Sequence, residues 1–149
     1  MRILSILILL FSLSCSASKN NRKSIDSTKE ISLERTACYG TCPVYQVTIF
    51  ADGKVRYEGK NHVNQMGIYS GRIEKNAALA LFSKIANFSW ESYPEKYPID
   101  NYDFPQFHLN YHTNSLDKTV KANSNAAKEL IALGKEIDRL VAASRLVKD

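Results

Sequence analysis

The chain has 149 residues, a length typical of one domain. Hydrophobic residues make up 44% of it and charged residues 23%, a balance that favours a folded protein over a disordered one. Of the net charge of +5, Arg2 contributes +1, residues 16–30 contribute +2 and the part from Ile31 onward contributes +2. Nucleic-acid binding requires a concentrated basic face, so this distribution predicts no nucleic-acid partner.

Residues 1–14 have the pattern of an export signal. Arg2 precedes an apolar run from Ile3 to Phe11 that is interrupted only by Ser5. Nine residues are too few for a helix across the hydrocarbon core, which needs about 20. A short apolar run behind an N-terminal positive charge is typical of a signal peptide.

Cys15 follows this run directly, in the segment Ser12-Leu13-Ser14-Cys15. The segment resembles a bacterial lipobox, in which the cysteine is lipidated and the chain is cleaved before it, although Ser12 stands where an aliphatic residue is usual. We predict that a lipid on Cys15 attaches the protein to a membrane of the bacterial cell envelope. The domain would then lie in the periplasm or at the outer surface. Ordinary cleavage after Ala17, without a lipid, is the alternative.

Residues 16–30 are rich in Ser, Asn and Lys, and Ile25 is the one large apolar residue among them. Such a segment buries too little apolar surface to become ordered, so we expect a flexible tether with an r.m.s. reach of about 20 Å. The predicted organisation is a signal peptide over 1–14, the lipidated cysteine and tether over 15–30, and a folded domain over 31–149.

The folded part shows two periodicities. Alternation of apolar and polar residues predicts strands, and apolar residues three or four apart predict amphipathic helices. In chain order we predict strands over 31–37, 44–50, 54–59 and 67–73, a helix over 75–88, strands over 107–113 and 116–122, and a long helix from Asn125, which serves as its N-cap.

Hairpins between successive strands indicate antiparallel pairing. Two helices covering one face of the sheet would give a two-layer α+β sandwich in the order ββββ-α-ββ-α. A three-residue loop ending at Gly53 sets Ile49 opposite Val55 and gathers the apolar residues on one face. We therefore predict this register, with Gly53 in the left-handed conformation.

Cys38 and Cys42 are the pair that remains if Cys15 is lipidated. In an oxidising compartment we predict a disulfide between them, worth about 2 kcal/mol for such a short loop. Two alternatives stay open: a thiol-redox pair, and a Cu(I) site in which the Cys-x3-Cys-Pro segment resembles that of the Sco-type copper chaperones. Those chaperones have a thioredoxin fold, which the strand order here does not match. We predict no metal and no cofactor.

Residues 89–105 form a long connection without a clear element, and such loops are often functional. Aromatic and acidic side chains occur together in it, a combination that suits a sugar, a peptide or a cationic partner. The alternative is that the rings close the end of the core. The candidate contact residues are Trp90, Tyr93, Tyr97, Asp100, Tyr102 and Asp103.

Known catalytic signatures are missing from the sequence. It contains no glycine-rich phosphate loop, zinc signature or nucleophile elbow. His108 and His112 lie on one predicted strand about 13 Å apart, too far to hold one ion together. The sequence therefore does not identify an enzyme.

Several motifs together resemble one family. They are Arg35-Thr-Ala-Cys38-Tyr-Gly40-Thr-Cys42-Pro43-Val-Tyr45, the Asp52-Gly53 hairpin with Tyr57-Glu-Gly59, and the later Asp103-Phe-Pro105 and Ile137-Asp138. Over Ile31 to Val141 the chain resembles the DUF6438 family, whose members are typically bacterial envelope proteins, often lipoproteins, with no assigned activity. We therefore predict a binding or structural role in the envelope, with an envelope protein, a peptide or a glycan as partner.

Overall fold

A computed structural model describes residues 28–99 and 103–149. The predicted signal peptide, Cys15 and the tether up to residue 27 lie outside the described residues, as do Asp100 and Tyr102. In the described part of the chain, no helix is long and apolar enough to cross a membrane.

Seven strands and two α-helices make up the described residues. They are β1 (Glu30–Arg35), β2 (Val44–Phe50), β3 (Lys54–Asn61), β4 (Gly67–Arg72), α1 (Lys75–Ala86), β5 (Phe107–His112), β6 (Asp117–Ala122), α2 (Lys128–Ala142) and β7 (Arg145–Lys148), with a single 3-10 turn at Trp90–Ser92. The strands form one antiparallel sheet in the order β6-β5-β1-β2-β3-β4-β7. The predicted α+β class is confirmed.

The predicted register between β2 and β3 is confirmed. Ile49 lies opposite Val55, Val47 lies opposite Tyr57, and Gly53 has a φ of 86°. Two-residue periodicity explains why this register is favoured, since a slip of one residue would turn the apolar side chains of one strand to the opposite face.

One core cluster joins the sheet to both helices. Alternate residues within β1, β2, β3 and β5 are buried. Each fully buried Leu, Ile or Val side chain contributes about 1.5–3 kcal/mol relative to full exposure. An ion pair between Lys84 and Glu136 links α1 to α2 at the surface. The largest fully buried side chains are Ile31, Leu33, Ile49, Leu81, Ile85, Leu109, Leu130, Leu133, Ile137, Val47 and Val120.

Two features differ from the predicted elements. The long helix begins at Lys128 with Ala127 as its N-cap, so the prediction of Asn125 as the N-cap was wrong. The Asn125 N–H instead donates to the Asn123 side chain at 2.8 Å, which forms a turn before the helix. The short strand β7 was not predicted, because its two adjacent apolar residues show no period-two alternation.

The loop between β3 and β4 folds back over Gly59. A Cβ at this position would lie 1.8 Å from the Gln65 carbonyl oxygen and 2.8 Å from a methyl group of Val63. Glycine is therefore required there by close backbone approach, and it allows this loop to form one wall of the groove described below.

We expect Gly59→Ala to lower the free energy of unfolding by about 2 kcal/mol or more, since backbone atoms must move to admit the methyl group. Gly40→Ala is the matched control: a Cβ there would meet nothing closer than the Cys38 sulfur at 4.0 Å. Urea unfolding of both variants measures the difference. Equal midpoints for the two variants would contradict this account of the loop.

Candidate binding site at the disulfide end of the domain

Residues 36–43 connect β1 to β2 and are called the cysteine turn below. A disulfide joins Cys38 and Cys42, whose Cα atoms are 5.7 Å apart. Both cysteines are half-buried, whereas Tyr39 between them is 91% exposed. The disulfide closes the turn, and the ring of Tyr39 within it lies in solvent.

Hydrogen bonds fasten the cysteine turn to the end of the 89–105 connection. The Thr36 N–H donates to the Gln106 carbonyl oxygen, and the Gln106 N–H donates back to the Thr36 hydroxyl, both at 3.1 Å. The Tyr39 N–H donates to the Asp103 carbonyl oxygen at 3.3 Å. Phe104, the next residue, is 62% exposed. Two exposed aromatic residues therefore lie at the same end of the domain.

Trp90 packs in the core. It is 2% exposed, and its ring stacks on Tyr111 with 5.2 Å between the centroids. Its indole N–H donates to the Ile85 carbonyl oxygen at 3.0 Å, which satisfies the buried polar atom.

Tyr93 and Tyr97 also pack against the core. The Tyr93 hydroxyl donates to Glu129 at 3.0 Å, and burial together with this hydrogen bond raises the pKa of Tyr93 to about 12. The Tyr97 N–H pairs with the Lys121 carbonyl oxygen at the edge of β6. These rings therefore take the alternative role, closing the core, and among the described residues of the connection the exposed aromatic side chain is Phe104.

Arg35 lies at the end of β1 on the inner face of the sheet. Its guanidinium donates to Asp138 of α2 at 2.5 Å and lies 5.1 Å from the centroid of the Phe107 ring. A Cβ at Gly134, one helical turn before Asp138, would be 3.2 Å from the guanidinium nitrogen. Glycine at this helix position therefore leaves room for the guanidinium between α2 and the sheet.

Tyr45, near the start of β2, donates its hydroxyl to the other carboxylate oxygen of Asp138. Burial is the largest cause of a raised pKa of Tyr45, and this hydrogen bond is the next largest. The phenol therefore stays neutral and keeps its proton as a donor. Hydrogen bonds to an ionised partner are about twice as strong as those between neutral groups. Because Arg35 precedes the cysteine turn and Tyr45 follows it, Asp138 fixes both arms of the turn to α2.

A groove of about 550 Å³ lies next to this cluster and is called the Tyr45 groove below. Tyr45 and Tyr57, whose rings stack with centroids 5.4 Å apart, contribute to its lining, and Pro43 connects it to the cysteine turn. The loop between β3 and β4 supplies His62, and the end of α2 supplies Asp138. The volume falls within the range of small-molecule sites, and the groove combines aromatic rings with polar groups.

Sequence reasoning did not select the wall formed by residues 62–65 or the role of Asp138 at this site. The sequence signals for both were weak. A glycine at position 59 is compatible with close approach of another backbone segment, and Asp138 was noted only as part of the family resemblance.

A second cavity of about 490 Å³ lies at the end of the domain opposite the cysteine turn and is partly lined by Trp90 and Asn114.

The histidines on the outer face each have a carboxylate partner. His108 lies 3.0 Å from Glu34, and His112 lies 3.5 Å from Asp117. Although burial raises the pKa of Glu34, hydrogen bonds from His108 and Lys60 outweigh it and hold that pKa below its ordinary value. Among the residues that the structure describes, no three His, Cys, Asp or Glu side chains form a group that could hold a metal ion.

These features define a small antiparallel α+β domain in which a disulfide-closed turn is fixed to a helix by a shared carboxylate. A family model described as "Domain of unknown function (DUF6438)" matches residues 29–141, and the chain belongs to this family. The predicted resemblance is thereby confirmed. No curated protein matches the chain.

We expect Tyr45→Phe to lower the free energy of unfolding at pH 7 by about 1–3 kcal/mol, since the partly buried Asp138 carboxylate loses a donor. Tyr69→Phe is the control, because its ring also contacts Tyr57 but its hydroxyl has no hydrogen-bond partner among the described residues. Urea unfolding measures both.

The same two variants test the pH dependence. The pKa of Tyr45 is raised in the folded state. Its contribution is therefore fully present below about pH 10, the pKa of an unfolded-chain tyrosine, and is lost as the pH rises further. The loss of stability above pH 10 should be shallower in Tyr45→Phe than in Tyr69→Phe. Parallel pH profiles for the two variants would contradict a raised pKa of Tyr45 in the folded state.

Proposed function

We propose that this chain is a lipid-anchored protein of the bacterial cell envelope whose domain is a binding module. Its contact surface consists of the cysteine turn, the adjoining residues 103–105 and the Tyr45 groove. The partner is an envelope protein, a peptide or a glycan, and the Cys38–Cys42 disulfide has a structural role.

One observation carries the proposal: the cysteine turn is held rigidly while its central ring is exposed. Tyr39 is 91% exposed although the turn around it is closed by a disulfide and hydrogen-bonded to residues 103 and 106. A rigid backbone that presents an exposed ring loses little conformational entropy on binding. Tyrosine is also among the residues that contribute most to protein interfaces.

The arrangement of the two helices supports a layered scaffold behind this surface. Buried residues of both helices share one core cluster with the inward side chains of the strands, and Lys84 pairs with Glu136 between the helices. We infer that both helices cover the same face and that the domain is a two-layer sandwich. On the other face, polar pairs such as Ser32 with Thr48 suit contact with water.

The place where the described chain enters the domain is consistent with a contact surface directed away from the membrane. The Thr28 hydroxyl donates to Asn114, and the Lys29 carbonyl oxygen accepts from Ala51, so the chain enters at the start of β1. The cysteine turn follows the other end of this strand, about 20 Å away at 3.3 Å per residue. A tether attached to a lipid on Cys15 would thus present the cysteine turn outward.

The alternative function is a periplasmic thiol-redox or copper-binding protein that uses Cys38 and Cys42. Such a protein needs reduced thiols that react with an oxidant or bind Cu(I). The oxidation state of these two cysteines in the exported protein therefore distinguishes the two functions.

An intact native mass spectrum tests this distinction. The protein is purified in detergent without reductant and alkylated before denaturation. We expect a chain that begins at lipidated Cys15, is two hydrogens lighter than the reduced form, and carries no alkyl group and no metal. Alkylated Cys38 and Cys42, or a retained copper ion, would overturn the structural role of the disulfide. A chain that begins at Ser18 without a lipid would overturn the anchor.

Site-specific photo-crosslinking in cells tests the contact surface. A photoreactive phenylalanine analogue replaces Tyr39 or Phe104, and Leu79 of α1, which is 46% exposed, serves as the matched control. We expect the same crosslinked partner at both aromatic positions and none at Leu79. The same products at all three positions, or none at Tyr39 and Phe104, would place any binding elsewhere.

A further inference from the structure

The two edges of the sheet are protected differently. Residues 95–97 cover the edge of β6: the Lys121 N–H donates to Glu95, and the Tyr97 N–H donates to Lys121. At the other edge, no strand within residues 28–99 or 103–149 pairs with the outer side of β7. An uncovered edge strand offers unpaired backbone groups to another chain.

The hydrogen bonds between β4 and β7 show which groups of β7 are available. The Asp149 N–H donates to the Ile68 carbonyl oxygen at 3.1 Å. In an antiparallel pair the residues alternate, so Val147 and Arg145 also direct their backbone groups to β4. It follows that Leu146 and Lys148 direct their N–H and C=O groups to the free side of β7.

We propose that β7 pairs antiparallel with β7 of a second copy of this chain, with the two Val147 residues opposite one another at the twofold axis. Leu146 of each copy then lies opposite Lys148 of the other. These are the residues whose backbone groups face outward, so each Leu146–Lys148 pair exchanges two hydrogen bonds. The twofold axis forms this pair twice, and the interface therefore contains four backbone hydrogen bonds. The interface is isologous, as a twofold dimer requires.

Charge complementarity argues for a second copy as the occupant. In this register Arg145 of one copy lies opposite Asp149 of the other, and the symmetry forms this pair twice. Opposite charges in directly facing positions stabilise a strand pair, and like charges destabilise it. A slip of one residue would instead set Arg145 opposite Lys148 of the other copy. It would also set Leu146 opposite Val147, whose backbone groups face β4, so the hydrogen bonds between the two strands would be lost.

Exposed apolar side chains lie beside this edge. Val147 is 61% exposed and pairs with Ser70 of β4. Ile68 lies two residues before Ser70 on the same face of the sheet and is 39% exposed. Pairing through the twofold axis brings both copies of this patch together on the outer face. The strand is short and the buried area small, so we expect a weak dimer with a Kd between about 10 μM and 1 mM.

Charge reversal tests the register. Sedimentation equilibrium of the full mature protein in density-matched detergent gives the dimer Kd for wild type, Arg145→Asp, Asp149→Arg and the double variant. We expect each single reversal to raise the Kd at least tenfold and the double variant to restore it to within about threefold. Lys135→Asp, at an exposed position of α2, changes the net charge as Arg145→Asp does and should leave the Kd unchanged.

A second measurement uses the twofold axis directly. In Val147→Cys, the two cysteines would face each other with Cα atoms about 4.5 Å apart, within disulfide range. Mild oxidation should give a covalent dimer, and Leu79→Cys should not. The proposal is overturned if the wild type stays monomeric up to 1 mM, or if the folded double variant, checked by circular dichroism, does not recover the wild-type Kd. A failure of Val147→Cys to crosslink faster than Leu79→Cys would also overturn it.

Discussion

The carboxylate of Asp138 is the point on which the disulfide end of the domain depends. It accepts hydrogen bonds from Arg35 at the end of β1 and from Tyr45 near the start of β2. These strands lead into and out of the cysteine turn, so one helix side chain fixes both arms. Gly134 leaves room for this contact, because a Cβ there would lie 3.2 Å from the guanidinium, which packs between α2 and the ring of Phe107.

The described residues of the 89–105 connection divide into two parts, which explains why the composition of this segment was ambiguous. Trp90 and Tyr93 close the core, and residues 95–97 cover the edge of β6. Only the end that contains Asp103 and Phe104 joins the cysteine turn. The same kind of residue, an aromatic side chain with acidic neighbours, thus serves the core in one half and the surface in the other.

The sheet organises the molecule along two directions. Along β1, residues 28 and 29 make hydrogen bonds to Asn114 and Ala51 at one end of the domain, and the cysteine turn lies at the other end. Across the sheet, a connection covers β6, whereas β7 has a self-complementary edge with exposed Val147. Contact with a partner at the cysteine turn and pairing through β7 would therefore use different residues.

Local patterns in the sequence determined the first six strands, the register at Gly53 and the buried stripes of the helices. Period-two and period-3.6 alternation and turn residues act over a few positions, so they can be recognised without the fold. Only the tertiary structure decided that Arg35 meets Asp138, 103 residues later, that Trp90 is buried, and that β7 forms. These features depend on which distant elements pack together, and such contacts leave no periodic signal in the sequence.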